Sequence, residues 1–386
     1  MLANGHRLLK VNFDTGDWVY WAPRRSWHFR GDVESLRDFL DDKYQKFGVT
    51  DQILFGDRRP VHRPAVEHGA ARGVRTHVFE EGYFRPYWVT LEREGVNSHS
   101  LLPRDPDWFW EVGGRLPDPP QPVGFHSPFR TRAIHDVLYH LAGMTNPVFF
   151  PRYRTHAPLP AAVEYAGYVK RLTMLRLWHR RRDADRIAAL INSGKQFYLL
   201  PLQLNSDAQI SDHSRFADMN EVIEYVMESF SRRADNDVYL VIKNHSLDAG
   251  LGHHARTIAR TAKRLDVEGR VVYLESGDLE LLLRHARGCV TVNSTTGIIA
   301  LGLGCPTMTL SDPIYNLPGL TFQRPLDAFW RDGTVPDAEL FRRFRNTVIH
   351  ATQVNGGFYS SEGIALAVAN SLQKLEAERS PLEALL

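Results

Sequence analysis

Cysteine is almost absent from this chain of 386 residues, which contains only Cys289 and Cys305. Both lie in apolar stretches typical of strands, so we expect buried thiols rather than a disulfide or a metal site. The N-terminal segment lacks the apolar core of a signal peptide, and no apolar run approaches about 18 residues. We therefore expect a cytoplasmic protein that is at most peripheral to a membrane.

Excess charge and several catalytic signatures are also missing. The formal net charge is +2, from 47 basic and 45 acidic residues, which argues against a general nucleic-acid-binding protein but permits a local basic patch. There is no GxGxxG after the first predicted strand, no GxxxxGKS/T and no HExxH. These absences disfavour dinucleotide redox chemistry and P-loop hydrolysis. No closely spaced acidic cluster is present, so we expect no metal and no other cofactor.

The chain does contain a buried strand that ends in a polar loop, in Tyr239–Gly250 (YLVIKNHSLDAG). Its first four residues, Tyr239–Ile242, have the apolar run of a parallel strand. Ligands of open α/β sheets bind beyond the carboxyl ends of the strands. Lys243 and His245 are two residues apart, so they leave an extended backbone on the same side. A cation and an imidazole at a strand exit suit a phosphate, although an ordinary polar loop would have the same composition.

Strands and helices alternate along the chain, which is typical of α/β domains with parallel sheets. The predicted strands are Arg7–Phe13, Gln52–Phe55, Val74–Phe79, Gln196–Leu204, Tyr239–Ile242, Arg270–Leu274, Cys289–Val292 and Pro306–Leu310. The predicted helices are Asp32–Phe47, His62–Arg72, Arg130–Leu141, Val163–Leu190, Asp218–Arg233, His254–Leu265, Asp278–His285 and most of Phe341–Leu375. Tyr83–Asp107 shows no clear period. The pattern predicts an α/β, GT-B-like fold, with two Rossmann-like domains and the active site in the cleft between them.

The pattern also predicts where the chain divides. We expect an N-terminal Rossmann-like domain over residues 1–165, a basic linker helix over 166–195, a C-terminal Rossmann-like domain over 196–345 and a helical segment over 346–386.

The linker helix is the most basic part of the chain, because it carries Lys170, Arg171, Arg176 and Arg180–Arg182. It is either a solvated face between two domains or a surface that is attracted to anionic lipid head groups.

Candidate acids also lie at predicted strand exits. Glu80 and Glu81 precede Gly82, and one of them can be a general base, since like charges hold one pKa high. Neighbouring residues of a strand point to opposite sides, so only one is expected to face the cleft. Asp17 follows the first predicted strand. Exposed loop acids would give the same pattern.

Two further candidate groups follow strands of the C-terminal half. Asp207 comes after Gln203 and the predicted strand, and can act as a nucleophile at a sugar carbon, although a turn-forming aspartate is the alternative. Ser294 and Thr295 begin a helix, where hydroxyls and amides bind anions or simply cap the helix.

Several of these blocks resemble the KpsS/LipB family of capsule polysaccharide biosynthesis proteins. The blocks are KVNFDTGD, ILFGDRRPVHRPAV, HVFEEGYFRPYWVTLEREGVN, PLQLNSDAQI, VIKNHSLDAG and NSTTGIIALGLGCPT, within residues 7–310. The resemblance implies a retaining β-Kdo transferase that uses CMP-β-Kdo. It also implies that the enzyme starts a poly-Kdo linker on (lyso)phosphatidylglycerol before capsule export.

The resemblance assigns roles to individual positions. Asp207 matches the proposed nucleophile, and Glu81 matches the acid before glycine in the acid-acid-glycine motif. Lys243 and His245 match the Lys-x-His-Pro motif that holds CMP. Ser246 replaces the proline of that motif, so the backbone of the loop is less restricted.

Other assignments complete the expected site. Ser294 and Thr295 match the hydroxyl pair near the nucleotide phosphate, and Gln203 is placed on the donor side with them. Either Arg58 or Arg59 can bind the Kdo carboxylate through two hydrogen bonds, which is an inference from the chemistry of the guanidinium group. Asp17 and Glu80 are assigned to the acceptor side. The N-terminal domain is thus expected to hold the acceptor and the C-terminal domain the CMP-sugar.

The expected partners follow from the same resemblance. They are CMP-Kdo, a phosphatidylglycerol-type lipid, the anionic inner face of the inner membrane, and other capsule biosynthesis and export proteins, but no nucleic acid. Two alternatives remain open: a GT-B transferase with another donor, such as a CMP-sialic acid enzyme or a capsule polymerase, and a non-catalytic capsule assembly factor. The joint presence of Glu81, Asp207, Lys243 and His245 favours an enzyme.

Overall fold

A computed structural model describes residues 1–155, 160–204 and 214–386. The chain forms two compact units, each built from segments that are discontinuous in sequence. The first unit comprises Met1–Leu102, Pro117–His156 and Val348–Leu386, and the second comprises Pro103–Leu116 and Ala157–Thr347. Most of the predicted C-terminal helical segment, 346–386, therefore belongs to the first unit, whereas the sequence predicted continuous domains.

The strands of the described residues are β1 (Val11–Asn12), β2 (Trp27–His28), β3 (Asp51–Phe55), β4 (Arg75–Glu81), β5 (Trp88–Arg93), β6 (Phe197–Pro201), β7 (Tyr239–Lys243), β8 (Val271–Leu274), β9 (Gly288–Thr291), β10 (Thr307–Thr309) and β11 (Gln353–Asn355).

The helices are α1 (Thr15–Trp21), α2 (Leu36–Phe47), α3 (Arg63–Ala71), α4 (Pro106–Arg115), α5 (Phe129–Gly143), α6 (Asn146–Phe149), α7 (Ala161–Met174), α8 (Arg180–Asn192), α9 (Met219–Arg233), α10 (His254–Arg264), α11 (Leu279–His285), α12 (Thr295–Gly302), α13 (Leu326–Asp332), α14 (Ala338–Thr352) and α15 (Ser361–Glu376). A π-helical turn, Leu175–His179, joins α7 to α8. Within the described ranges, no helix combines the length and the apolar character that crossing a bilayer requires.

The second unit is built on a parallel sheet with the strand order β10-β9-β6-β7-β8. Leu200 and Ile242 enter one core with α9 and α13, whereas Leu199 and Val241 enter a second core with α8 and α11. Alternate residues of β6 and β7 therefore point into apolar packing on both faces of the sheet, as a doubly wound unit requires. The predicted α/β fold class is confirmed.

The first unit contains a mixed sheet with the order β11-β5-β4-β3. Strands β3 and β4 are parallel, and β5 runs antiparallel to both β4 and β11. The sequence did not predict β5, because all six of its residues are buried and the alternation of apolar and polar residues is lost. The predicted strand Arg7–Phe13 is reduced to β1, which pairs with β2 outside this sheet.

The expected buried thiols are confirmed. Cys289 and Cys305 are both buried and free. Burial raises the pKa of Cys305 to about 12, so this residue is a neutral core side chain near neutral pH.

The predicted basic linker helix is helical, but its charges do not form one continuous face. Lys170, Arg176, Arg180 and Arg181 are exposed. Arg171 is only 7% exposed and points into the second unit, so it does not contribute to a basic surface. The reason is local: the inward side of α7 lies against the polar loop that follows β7, and this loop offers hydrogen-bond acceptors.

Candidate functional site

The loop after β7 is held by the buried guanidinium of Arg171. This group donates hydrogen bonds to the backbone carbonyls of His245 (3.0 Å), Ser246 (3.1 Å) and Asp248 (2.7 Å). Three carbonyl contacts within four residues fix the path of the loop, which matters because Ser246 stands where the motif has proline. The loop is therefore restrained by a side chain from α7 rather than by a proline ring.

The charge of Arg171 is balanced by Glu275. Arg171 Nε lies 3.2 Å from Glu275 Oε2, and Asn244 Nδ2 donates to the same oxygen at 3.0 Å. Tyr273 donates to Oε1 at 3.0 Å. Burial raises the pKa of Glu275, but hydrogen bonds from Asn244 and Tyr273 and the charge of Arg171 outweigh it, so the pKa is lowered. The loop thus rests on an ionised, fully hydrogen-bonded pair, the arrangement in which a buried ion pair is stable.

Lys243 is the last residue of β7, and His245 lies two positions later in the restrained loop, as the sequence predicted. Burial and the charge of Arg171 lower the pKa of Lys243. An anion beside its ammonium group would counter both effects. Nδ1 of His245 accepts a hydrogen bond from the amide of Leu247 at 3.1 Å, so the neutral ring carries its proton on Nε2 as a donor. Both side chains can therefore stabilise negative charge.

The exit of β9, which lies one strand beyond β6 from β7, leads into α12. Ser294 is the N-cap of this helix, and its hydroxyl accepts a hydrogen bond from the amide of Thr296 at 3.1 Å. Tyr315 donates to the carbonyl of Ser294 at 2.5 Å, and a Cβ at Gly297 would lie 2.4 Å from the hydroxyl of Tyr315. Glycine therefore permits the close approach that fixes the cap. Thr295 is the first residue of the helix, so both predicted hydroxyl residues lie at an end that favours anions.

Gln203, just after β6, hydrogen-bonds to Asn293 in the loop that follows β9. It is buried, its Nε2 donates to Asn293 Oδ1 at 3.0 Å, and the amide of Asn293 donates to its Oε1 at 3.3 Å. Both ends of this amide are therefore used to hold the loop before Ser294. Since β6 lies between β7 and β9, three adjacent strand exits carry Gln203, Lys243 with His245, and Ser294. We call these four residues the strand-exit cluster.

The predicted nucleophile, Asp207, lies outside the described residues.

A second group of predicted residues lies in the first unit, around Glu81. Tyr359 donates a hydrogen bond to Glu81 Oε1 at 2.6 Å, and Arg85 Nε lies 3.8 Å from Oε2. The guanidinium of Arg132 lies 4.2 Å from the centroid of the Tyr359 ring. Burial, then the charge of Glu81, raises the pKa of Tyr359, so the phenol keeps its proton and remains a donor. We call Glu81, Tyr359, Arg85 and Arg132 the Glu81 cluster.

The two glutamates of the motif have different surroundings. Glu80 Oε1 turns back to accept the amide hydrogen of Glu81 at 3.0 Å, whereas Glu81 reaches across to Tyr359. The position after Glu81 requires glycine, because a Cβ at Gly82 would lie 2.0 Å from the carbonyl oxygen of Trp88. This close approach explains the glycine of the acid-acid-glycine pattern.

Arg58 and Asp17 are each engaged with neighbours in the first unit. Arg58 Nε lies 3.3 Å from Nδ1 of His99 and 3.9 Å from the carboxylate of the buried Asp57. Asp17 accepts a hydrogen bond from the amide of Phe13 at 3.0 Å and another from Tyr139 at 3.3 Å. Asp14 is the N-cap of α1, and Asp17, in the first turn, ties the helix back to the preceding strand.

His62, in the same block as Arg58, is a structural residue that the sequence did not single out. Its Nδ1 lies 2.9 Å from the carbonyl oxygen of Gly56, and burial, with the charge of Arg59, lowers its pKa to about 4. The ring is therefore neutral near neutral pH and ties the loop after β3 to the start of α3.

The structure thus places the predicted site residues in two groups, one in each unit. Gln203, Lys243, His245, Ser294 and Thr295 lie at adjacent strand exits of the second unit. Arg58, Glu80, Glu81 and Asp17 lie in the first. Sequence reasoning missed Arg171, Glu275, Tyr359 and Arg132. Of these, only Arg171 carried a signal, as a basic residue on the polar side of an amphipathic helix.

Comparisons with known proteins found a matching family and relatives that align with most of the chain. Residues 50–359 match the family model of the capsule polysaccharide biosynthesis proteins. The chain is 35% identical over 359 residues to the capsule polysaccharide export protein KpsS of Escherichia coli, covering 92% of this chain and 91% of that protein. It is 34% identical over 369 residues to the capsule polysaccharide modification protein LipB of Neisseria meningitidis serogroup B, covering 93% and 87%.

Among solved structures, similarity was found to Thermosulfurimonas dismutans KpsC, beta Kdo 2,7 transferase. The sequence identity is 13% and the TM-score 0.40, with 88% of this chain and 99% of that chain covered.

Proposed function

The chain belongs to the capsule polysaccharide biosynthesis protein family, and from that premise we propose that it is a retaining β-Kdo glycosyltransferase. The proposed donor is CMP-β-Kdo, and the proposed acceptor is (lyso)phosphatidylglycerol, which would receive the first Kdo of the poly-Kdo linker. The observation that carries the proposal is the strand-exit cluster, in which Arg171 holds the loop of Lys243 and His245 at the sheet edge from which α12 also begins. The choice of Kdo rests on the sequence resemblance.

The strand-exit cluster suits a monophosphate leaving group. CMP departs with one phosphate, and its developing charge needs donors that are already in place. Lys243 supplies a cation, His245 supplies the Nε2 proton, and the first turn of α12 supplies amides at Ser294 and Thr295. Gln203 acts on this phosphate through Asn293, because the nitrogen and the oxygen of its side-chain amide both hydrogen-bond to Asn293.

Retention at the anomeric carbon needs two displacements. In the first, the carboxylate of Asp207 forms a bond to the anomeric carbon of Kdo while the bond to the CMP phosphate oxygen breaks. In the second, an acceptor hydroxyl loses its proton to a base and attacks the same carbon, and the bond to Asp207 breaks. The released carboxylate is again ionised, so the enzyme is regenerated without a redox step or a cofactor.

Glu81 is the proposed base for the acceptor hydroxyl. Its Oε1 is occupied by Tyr359, so proton transfer would use Oε2, which faces Arg85 at 3.8 Å. Arg85 and Arg132 can also attract an acceptor phosphate, because both guanidinium groups lie close to the Glu81–Tyr359 pair. This combination of a carboxylate and two arginines suits an alcohol that is attached to a phosphodiester.

Two other functions compete with this proposal. One is a GT-B transferase with a different donor, such as CMP-sialic acid, and the other is a non-catalytic capsule assembly factor. An ion pair and several hydrogen bonds fix the loop of Lys243 and His245. This favours a catalytic role, because an assembly factor does not need a lysine held in position to bind a phosphate.

The direct test is a transfer assay with the complete chain, a fluorescent phosphatidylglycerol analogue and a panel of CMP- and UDP-sugars. We expect the mass of the lipid to increase by one or more Kdo units with CMP-Kdo only. We also expect full activity in EDTA, because Lys243, His245 and the amides of α12 meet the leaving-group charge. Mass spectrometry reads both results.

Two outcomes would contradict the proposal. If transfer occurs from another nucleotide sugar and not from CMP-Kdo, the proposed donor is wrong. Activity that disappears in EDTA and returns with Mg²⁺ or Mn²⁺ would remove the metal-independent mechanism.

A separate prediction concerns Arg171. Replacing it with methionine leaves Glu275 unpaired and frees three loop carbonyls, and breaking a buried pair in this way costs about 3–5 kcal/mol of folding free energy. We expect a lower melting temperature and roughly tenfold weaker binding of CMP, because the Lys243–His245 loop loses its fixed path. Calorimetry and thermal unfolding measure the two effects.

Lys170→Met is the matched control, since Lys170 is the preceding residue of α7 and is exposed. It should leave both CMP affinity and melting temperature unchanged. If Arg171→Met binds CMP as the parent does, Arg171 does not position the loop.

A further inference from the structure

Helix α5 of the first unit has no buried residue in its 15 positions. It is attached through one strip of side chains. Tyr139 donates a hydrogen bond to Asp14 at 2.7 Å, and the hydroxyl of Tyr20 lies 2.8 Å from Nδ1 of His135. A Cβ at Gly16 would lie 2.6 Å from the ring of Tyr139, so α1 and α5 approach closely along this strip. The attachment is firm, but it covers only one side of the helix.

A second side of α5 presents aliphatic side chains to solvent. These side chains recur at helical spacing and continue past the end of the helix, and we call them the α5 face: Ile134, Val137, Leu138, Leu141, Met144 and Val148. Their exposed fractions run from 41% for Val137 to 76% for Val148. Exposing six aliphatic side chains in one row to water is unfavourable in free energy, and such a row is typical of an interaction surface.

Basic and aromatic residues lie on α5 itself and on or just after α1, which packs against it. Arg24 and Arg25 follow α1, and Arg130 and Arg132 lie in the first turn of α5; all four are exposed. Tyr20 is also half exposed, beside His135. The sequence of α5 contains a single carboxylate, that of Asp136. An aliphatic row with an arginine rim and a tyrosine at its edge is the composition of a helix that lies in the interface of an anionic bilayer.

We propose that the α5 face docks on an anionic lipid bilayer and brings the Glu81 cluster to the head groups. The link is Arg132, which belongs to the first turn of α5 and lies over the ring of Tyr359, the hydrogen-bond partner of Glu81. The proposal rests on the proposed function in one respect, namely that the acceptor is a membrane lipid. Docking itself requires only the exposed row and its basic rim.

The basic helix α7–α8 offers a comparison within the same chain. It also exposes aliphatic and basic residues, including Val169 at 68% and Leu177 at 65%. However, it belongs to the second unit, and its buried arginine holds the loop of the strand-exit cluster. The Glu81 cluster instead lies in the same unit as the α5 face and contacts α5 through Arg132, so a lipid acceptor favours α5 as the docking surface.

The test is flotation of the complete chain with phosphatidylglycerol vesicles and with phosphatidylcholine vesicles. The parent should bind the anionic vesicles and bind the neutral ones at least about tenfold more weakly. A triple variant, Ile134→Ser, Leu138→Ser and Leu141→Ser, should lose at least about tenfold in partitioning to anionic vesicles. The matched control replaces three exposed aliphatic residues of α7 and the following turn, Val169→Ser, Leu172→Ser and Leu177→Ser, and should bind as the parent does.

Each contrary outcome removes the proposal. Binding of the α5 variant at the parent level, loss in the α7 control alone, or no binding by the parent would each overturn it. A parent dimer that dissociates in the α5 variant, measured by light scattering without lipid, would assign the face to a second copy instead. Because the measurement is binding, its result is independent of transfer activity: a parent that floats but transfers no Kdo contradicts the proposed function and leaves docking in place.

A second measurement does not depend on how the triple variant folds. Leu138→Cys can be labelled with an environment-sensitive dye, since both native cysteines are buried. The emission should shift to the blue on anionic vesicles, and a dye at Leu177→Cys should not respond. Equal shifts at both positions, or no shift at Leu138→Cys, would contradict docking through α5.

Discussion

Replacing Glu81 with glutamine is expected to lower the turnover of Kdo transfer by roughly 10²–10⁴-fold, the range for loss of a general base. Glutamine keeps the size of the side chain and can still accept a hydrogen bond from Tyr359, so the fold of the first unit should be unchanged. Only the capacity to take a proton from the acceptor hydroxyl is lost. The affinity for CMP should stay at the parent value, since the residues proposed to bind CMP lie in the second unit. Steady-state kinetics with the fluorescent lipid and calorimetry with CMP measure the two quantities.

Glu80→Gln is the matched control, because Glu80 is the adjacent acid and its carboxylate turns back to the amide of Glu81. Its turnover should remain within a few fold of the parent. Equal losses in the two variants would point to a general effect on β4. A large loss in Glu80→Gln alone would exchange the proposed roles of the two residues.

The sequence predicted the second unit well because its strands are short apolar runs that end in polar residues. In a parallel sheet both faces of a strand are covered, so the run itself marks the strand and its last residue marks the ligand edge. Lys243 lies at the end of β7, His245 lies two positions later, and Ser294 caps α12, all as the sequence indicated. Their roles in binding a nucleotide stay predictions.

The contacts between distant segments could not be predicted in the same way. Arg171 is separated from Ser246 by 75 positions, and Tyr359 from Glu81 by 278 positions. No local pattern indicates that a basic residue in a charged helix will point inward, because periodicity locates apolar residues and not buried guanidinium groups. The requirement for glycine at position 82 could not be predicted either. It arises from the nearby carbonyl of Trp88, whose position cannot be inferred from a single sequence.

The same limit applies to the first unit. β5 has no alternation because both of its faces are covered, and its neighbour β11 comes from near the C-terminus. A sheet that is completed by a distant strand cannot be assigned from chain order. The continuous domains that the sequence predicted and the discontinuous units of the structure differ for this reason.

The anchoring of Gln203 bears on Asp207, the proposed nucleophile. Gln203 is fixed to Asn293, one position before the Ser294 cap, so the chain leaves β6 beside the proposed phosphate site. Asp207 lies four positions after Gln203 in the sequence. The first displacement that we propose requires a carboxylate near the leaving group.

Asp207→Ala is therefore expected to lower transfer by at least roughly 10³-fold, because a covalent nucleophile is removed. CMP affinity should remain within about threefold of the parent value, since its phosphate is met by Lys243, His245 and α12. Kinetics with the fluorescent lipid and calorimetry measure the two effects. Asp212→Ala is the control, as it removes a carboxylate from the same stretch of sequence and should stay active. Near-parent activity in Asp207→Ala, or loss of CMP binding that matches the loss of activity, would remove Asp207 from its role as nucleophile.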